Sequence, residues 1–106
     1  MTDFIEPDDY RQARHLVLAH YFPAVGNEQR VLELLVDLKK ASLTESGNLG
    51  YEFYAPGSNE GEILIVERYE SAEAFAIHRE SEHFQSIGKE QIIPLLDERH
   101  VEEFTL

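Results

Sequence analysis

Chemistry in this chain of 106 residues has few sources, and most of them lie between Ile63 and Phe84. In the run ILIVERY, Ile63, Ile65, Glu67 and Tyr69 share one strand face by its two-residue period, and Leu64 and Val66 share the other. A carboxylate in line with two isoleucines is costly if buried without a partner, so Glu67 is expected to be paired or to titrate high. Its partner could come from a neighbouring strand or a second subunit, but not from Arg68, which faces the other way. A role on substrate is the alternative.

Ser71 offers its hydroxyl as an N-cap, and Glu73 falls in the first turn, where the helix dipole favours an anion. Ala74, Phe75 and His78 follow at helical spacing with Ile77 beside them, which lays the imidazole back over the strand. A neutral imidazole there can accept a phenolic proton near neutral pH; the competing reading is a core histidine held by a backbone group or a carboxylate. His20 shares its strand face with Leu16, Leu18 and Phe22, and would point into the same pocket if that face meets the helices. Tyr51 and Tyr69 can hydrogen-bond a substrate oxygen or stack in the core. His83 is expected at the helix rim. On one continuous helix the five-residue step from His78 to His83 separates them by about 140°. With no HExxH pattern or carboxylate cluster in support, no metal site is expected. GxSxG, P-loop and GxGxxG patterns are also absent.

The elements that must position these residues follow from periodicity. Residues 1–14 are polar and acidic, and read as an arm outside a single folded domain of residues 15–106. His15 to Phe22 is a first strand, apolar on both faces, closed by Pro23 and the turn at Gly26. Asn27 can cap a helix to about Thr44 with Val31, Leu34, Leu35 and Leu38 on its stripe, and Gly47 is a natural residue to end it. Asn48 to Ala55 is a second strand, Pro56 to Gly61 a hairpin-like loop, and Glu62 to Tyr69 the third strand. After the Ser71 helix, Gly88 and Pro94 interrupt an apolar segment, and residues 98–106 form the last strand. The order β-α-β-β-α-β predicts an α+β, ferredoxin-like split βαβ fold: a four-stranded antiparallel sheet with both helices on one face. The bare face is expected to carry Val17, Ala19, Tyr21, Tyr54, Leu64 and Val66. It is too apolar to stand in water, so a homodimer in which two sheets cover each other is expected.

Net charge is −12, from 21 acidic and 9 basic side chains, which disfavours nucleic acid and anionic lipid surfaces as partners. The absence of cysteine excludes disulfide, thiolate-metal and cysteine-nucleophile chemistry. No apolar run approaches the roughly 20 residues that span a bilayer, and the acidic N-terminus does not read as a signal peptide. The cytoplasm is the expected location.

Three stretches carry a family resemblance: GNLGYEFY, the step Glu67–Tyr69–Ser71, and the run from Ala74 to Phe84 with its AFxxHxxSxHF-like pattern. Together they make residues 15–106 resemble the antibiotic biosynthesis monooxygenase domain, a dimeric α+β barrel of the quinol-monooxygenase type. The resemblance implies a pocket between helices and sheet for a planar polycyclic or quinol-like substrate, oxidised with dioxygen without flavin, metal or haem. His78, Glu67 and His20 are the catalytic candidates. Tyr51, Tyr69, Phe75, His83 and Phe84 are the substrate-binding ones, and no cofactor is expected. Two positions depart from the family: Tyr69 stands where tryptophan is usual, and Gly88 stands where related haem-degrading enzymes carry their iron ligand, so haem is not expected. His20 replaces an asparagine of those enzymes. A non-catalytic binding or stress protein, or an isomerase of a small carbonyl signal, are the alternatives the same fold admits.

Overall fold

Alternation of large and β-branched residues makes His15–Pro23 the first strand, β1. A computed structural model describes residues 13–55 and 61–106; the expected arm lies outside these as far as residue 12, as does the expected hairpin loop at 56–60. Helix α1, Glu28–Ser42, buries Val31, Leu34, Leu35 and Leu38, the stripe that its spacing predicts. Asn27 does not cap it: its amide donates to the Leu95 carbonyl at 3.2 Å, tying the helix start to the far end of the chain. Strand β2, Asn48–Tyr54, and strand β3, Ile63–Tyr69, form the hairpin. Helix α2, Ala72–Glu80, starts where the Ser71 hydroxyl accepts from the Ala74 amide at 3.1 Å. A π-helical segment, Phe84–Ile92, a 3-10 turn, Ile93–Leu95, and strand β4, Leu96–Thr105, complete the chain.

All pairings are antiparallel and the sheet order is β2-β3-β1-β4, with the helices over one face. This is the ferredoxin-like α+β arrangement that the element order predicts. The core lies between that face and α1, where Ala19, Tyr21, Leu35, Leu38, Ile63 and Ile65 meet.

Register overturns one expectation. Val17 pairs with Glu67, Ala19 with Ile65 and Tyr21 with Ile63, so these β1 residues share the helix-covered face and are buried. The bare face carries Leu16, Leu18, His20 and Phe22 from β1, together with Leu64 and Val66 as expected. Both faces of β1 are apolar, so alternation alone could not say which one the helices cover.

Gly47 is not a left-handed helix end. Positive φ among the described glycines occurs at Gly26 and Gly61. At Gly47 the constraint is close approach, since a Cβ there would lie 2.6 Å from the Cβ of Ala74. The Gly47 carbonyl also accepts from the Glu70 amide at 3.0 Å, so the turn before β2 is held flat against the start of α2.

Candidate active site

Helix α2 ends abruptly because Ser81 adopts extended backbone, with φ −66° and ψ 155°. Its amide and hydroxyl both donate to the His78 carbonyl, at 3.1 and 2.7 Å, and the same hydroxyl accepts from the Phe84 amide at 3.1 Å. The chain therefore turns under His78, and the expected wide separation of His78 and His83 does not arise. Both imidazoles reach one carboxylate oxygen. His78 Nδ1 lies 2.9 Å from Glu45 Oε2, and His83 Nε2 hydrogen-bonds the same oxygen. Glu45 reaches them from the turn after α1, which Gly47 holds close to α2.

With Nδ1 donating to Glu45, the opposite edge of His78 faces the sheet. Nε2 lies 3.8 Å from Glu67 Oε1, beyond hydrogen-bond reach. Glu67 occupies the Ile63–Ile65 face that its spacing predicts, is 5% exposed, and accepts from the Tyr69 hydroxyl at 2.5 Å. Burial pushes its carboxyl up to about 7, against the opposing pull of His78 and the Tyr69 hydrogen bond. Burial works against the Glu45 carboxylate too, but the hydrogen bonds from His78 and His83 outweigh it, and its pKa lies below the ordinary value.

Beside this pair is a cavity of about 240 Å³. Glu67, His78 and Tyr51 form its inner wall, and Phe75 and Phe84 its aromatic sides, with the Phe84 ring 5.2 Å from His78. Tyr21 and Ala19 floor it, while Arg99, Val101 and Glu103 of β4 and Arg79 of α2 stand at the mouth. Burial raises Tyr51 well above the usual phenol range and Tyr21 to about 12, and burial followed by the Glu67 charge raises Tyr69 as well. The cavity's phenols are therefore hydrogen-bond donors at neutral pH. Acceptance of a proton falls to His78 or Glu67.

The sequence candidates separate clearly in space. Glu67, His78, Tyr51, Phe75 and Phe84 line one cavity. Tyr69 lies fully buried behind Glu67 and touches it rather than the cavity. His83 backs Glu45 and is not part of the wall. His20 is on the opposite face of the sheet, between Glu62 at 2.6 Å and Glu102 at 2.8 Å. Its expected convergence with His78 is corrected by the β1 register. Gly88 offers no ligand atom, and a Cβ there would meet the Phe84 ring of the cavity wall at 3.0 Å.

Sequence reasoning missed Glu45, Tyr21, Arg79, Arg99 and Glu103. Tyr21 had a signal, its alternation with Val17 and Ala19. Glu45 had none, since it lies in a turn without periodicity.

Residues 14–90 match the family model described as antibiotic biosynthesis monooxygenase. The chain belongs to the antibiotic biosynthesis monooxygenase family. Among solved structures, Rv0793 from Mycobacterium tuberculosis is 25% identical with a TM-score of 0.80, over 89% of this chain and 95% of that one. A conserved protein from Methanosarcina mazei is 22% identical with a TM-score of 0.82, over 91% of this chain and 97% of its own. A structure described as an antibiotic biosynthesis monooxygenase is 22% identical with a TM-score of 0.79, over 87% of this chain and 97% of that one. These likenesses show the fold. A search of curated proteins finds no match. In the antibiotic biosynthesis monooxygenase frame, the matched segment holds Glu45, Glu67, His78 and Phe84, but not the β4 residues at the cavity mouth.

Proposed function

We propose that this protein is a cofactor-independent monooxygenase that oxidises a quinol-like or polyphenolic molecule with dioxygen. One observation carries the reading: His78 is anchored through Nδ1 by Glu45, and among the described residues its Nε2 has no hydrogen-bond partner beside an aromatic-walled cavity. A neutral imidazole so oriented has its lone pair available to a phenol, as a base held by a carboxylate does in other enzymes. The cavity volume, about 240 Å³, is just below the roughly 300 Å³ at which pockets for drug-sized ligands begin. That favours a one- or two-ring phenol over a larger polycycle.

In this reading His78 takes the phenolic proton, and the electron-rich anion reacts at a ring carbon with dioxygen to form a C–O bond. The O–O bond then breaks and the ring carbon, losing its hydrogen, becomes a carbonyl. The second oxygen leaves as water, carrying the ring hydrogen and the proton returned from His78. The substrate supplies all four electrons, so phenol and dioxygen give quinone and water with no further reductant. Tyr51 donates to the substrate oxygen, Phe75 and Phe84 sandwich the ring, and Glu67, supported by Tyr69, sets the polarity beside Nε2.

The same proposal includes a homodimer. The uncovered sheet face carries Leu16, Leu18, Leu64 and Val66, with Phe104 and Tyr54 exposed at its edges, and a second copy presents the same apolar surface. Sedimentation at micromolar concentration is expected to give a dimer. A monodisperse monomer would remove that part.

Oxygen uptake with a naphthoquinol tests the reaction, with a three-ring dihydroanthraquinone as the substrate the cavity should disfavour. Uptake by the wild type that is lost in His78→Ala supports it. Binding of these compounds with no turnover would leave a ligand-binding protein, and their consumption without oxygen uptake would point to a proton-transfer isomerase.

A further inference from the structure

We propose that Glu45, His78 and His83 form a binding site for one zinc-class divalent ion per chain, on the side of His78 away from the cavity. The three donor atoms, Glu45 Oε2, His78 Nδ1 and His83 Nε2, come from separate parts of the chain: the turn after α1, the last turn of α2, and the residue before the π-helical segment. All lie within 4.8 Å of one another. A tetrahedral zinc ion with bonds of about 2.0–2.1 Å holds its donors about 3.3 Å apart. His78 Nδ1 and Glu45 Oε2, at 2.9 Å, reach that spacing with a shift of a few tenths of an ångström.

A separate observation points to the same place. Among the described residues Glu45 Oε1 is buried with no hydrogen-bond partner, while Oε2 serves two imidazoles. A buried carboxylate oxygen left empty is unusual in a satisfied network, and a dication on Oε2 would offset the cost of burying this carboxylate with one oxygen unpaired. Two imidazole nitrogens and one carboxylate favour zinc, cobalt or nickel over magnesium or calcium. Glu67 stands 3.8 Å from the second nitrogen of His78, so a small approach on metal binding would make it the outer partner that ligating histidines commonly have. Ser81 makes the convergence possible by breaking the helix between the two histidines.

The site has a consequence for the oxygenase reading, on which this part alone depends. With a metal on Nδ1, Nε2 must carry the ring hydrogen and turn it towards Glu67, so it cannot accept a phenolic proton. Saturating zinc is therefore expected to stop oxygen uptake, and a chelator to restore it.

Calorimetric titration of the full chain with zinc chloride tests the site without any assay of turnover. One ion per chain is expected. His83→Ala and Glu45→Gln should each weaken binding by more than about 100-fold, since removing even an outer partner costs about 10–100-fold. His100→Ala, in an exposed pair with Glu98 on the other sheet face, should bind as the wild type does. Cobalt in place of zinc should give the visible absorption of a tetrahedral site, lost in His83→Ala. Circular dichroism melts keep the variants interpretable, and His83→Gln serves if the alanine variant does not fold. No binding by the wild type, unchanged binding by a folded His83 variant, or loss confined to His100→Ala would each overturn the proposal. Binding with undiminished turnover would keep the metal site and sink the role of His78 as base.

Discussion

Two histidines in this protein each lie between two glutamates, and the arrangements differ in what they leave over. His20, on the uncovered face of the sheet, is 2.6 Å from Glu62 through Nδ1 and 2.8 Å from Glu102 through Nε2. Carboxylates only accept, so both ring nitrogens donate and the imidazole is held as a cation; these hydrogen bonds raise its pKa. His78, under α2, meets Glu45 at 2.9 Å but stands 3.8 Å from Glu67. Solvated carboxylates on flexible stems can close on both sides of a ring. Glu67 is fixed on a packed strand and engaged by Tyr69, so it leaves Nε2 open beside the cavity. The saturated histidine is built to hold structure, and the unsaturated one is available for chemistry.

The comparison breaks first at the histidines themselves. His78→Ala is expected to lower oxygen-uptake rates by about 10²–10⁴-fold, the usual worth of a positioned base, while His20→Ala stays near the wild-type rate. Equal losses in both would dissolve the distinction.

Gly47→Ala comes next. A methyl group 2.6 Å from Ala74 Cβ must push the Glu45 turn off α2, at a cost of about 1–3 kcal/mol in urea unfolding. Turnover is expected to fall with it, while the nuclear magnetic resonance signals of His20 stay in place. Disturbance of both histidines would mean that the two faces are coupled.

Tyr69→Phe removes the hydroxyl that Glu67 accepts from. A buried acceptor deprived of its donor costs about 1–3 kcal/mol, again read by urea unfolding. No change would show that Glu67 finds another partner.

The smallest effect belongs to His20. The groups facing it are Glu62 and Glu102, with His100 opposite on β4 and Glu98 paired to His100. Because its folded-state pKa is raised above 6.5, its contribution is fully present below pH 6.5 and is lost as pH rises through the folded value. Partly exposed pairs of this kind contribute at most about 1 kcal/mol. The stability difference between wild type and His20→Gln should therefore shrink from pH 6 to pH 8. A difference that grew over this interval would contradict the imidazolium assignment.

Much of the fold was legible because short-range periodicity reports faces directly. The α1 stripe, the Ser71 cap and the alignment of Glu67 with Ile63 and Ile65 all follow from spacing within one element. The candidate site was legible only in part. Glu67, His78, Tyr51, Phe75 and Phe84 come together, whereas His20 separates from them and Tyr69 and His83 stand behind the wall. Asn27 shows the same limit in a polar side chain, since its partner is the Leu95 carbonyl, far along the chain.

By itself the sequence determined the element order, which residues share a strand face, and the presence of an acid on an otherwise aliphatic row. Only the tertiary structure decided which face of β1 the helices cover, and that Glu45, from a turn without pattern, anchors one edge of His78. The physical reason is that alternation defines two faces without ranking them when both are apolar. The choice is made by strand register and by the path of the connecting helices. A turn residue acquires its partner through contacts between distant segments, and the extended backbone at Ser81, which brings His83 beside His78, leaves no mark in a helical repeat.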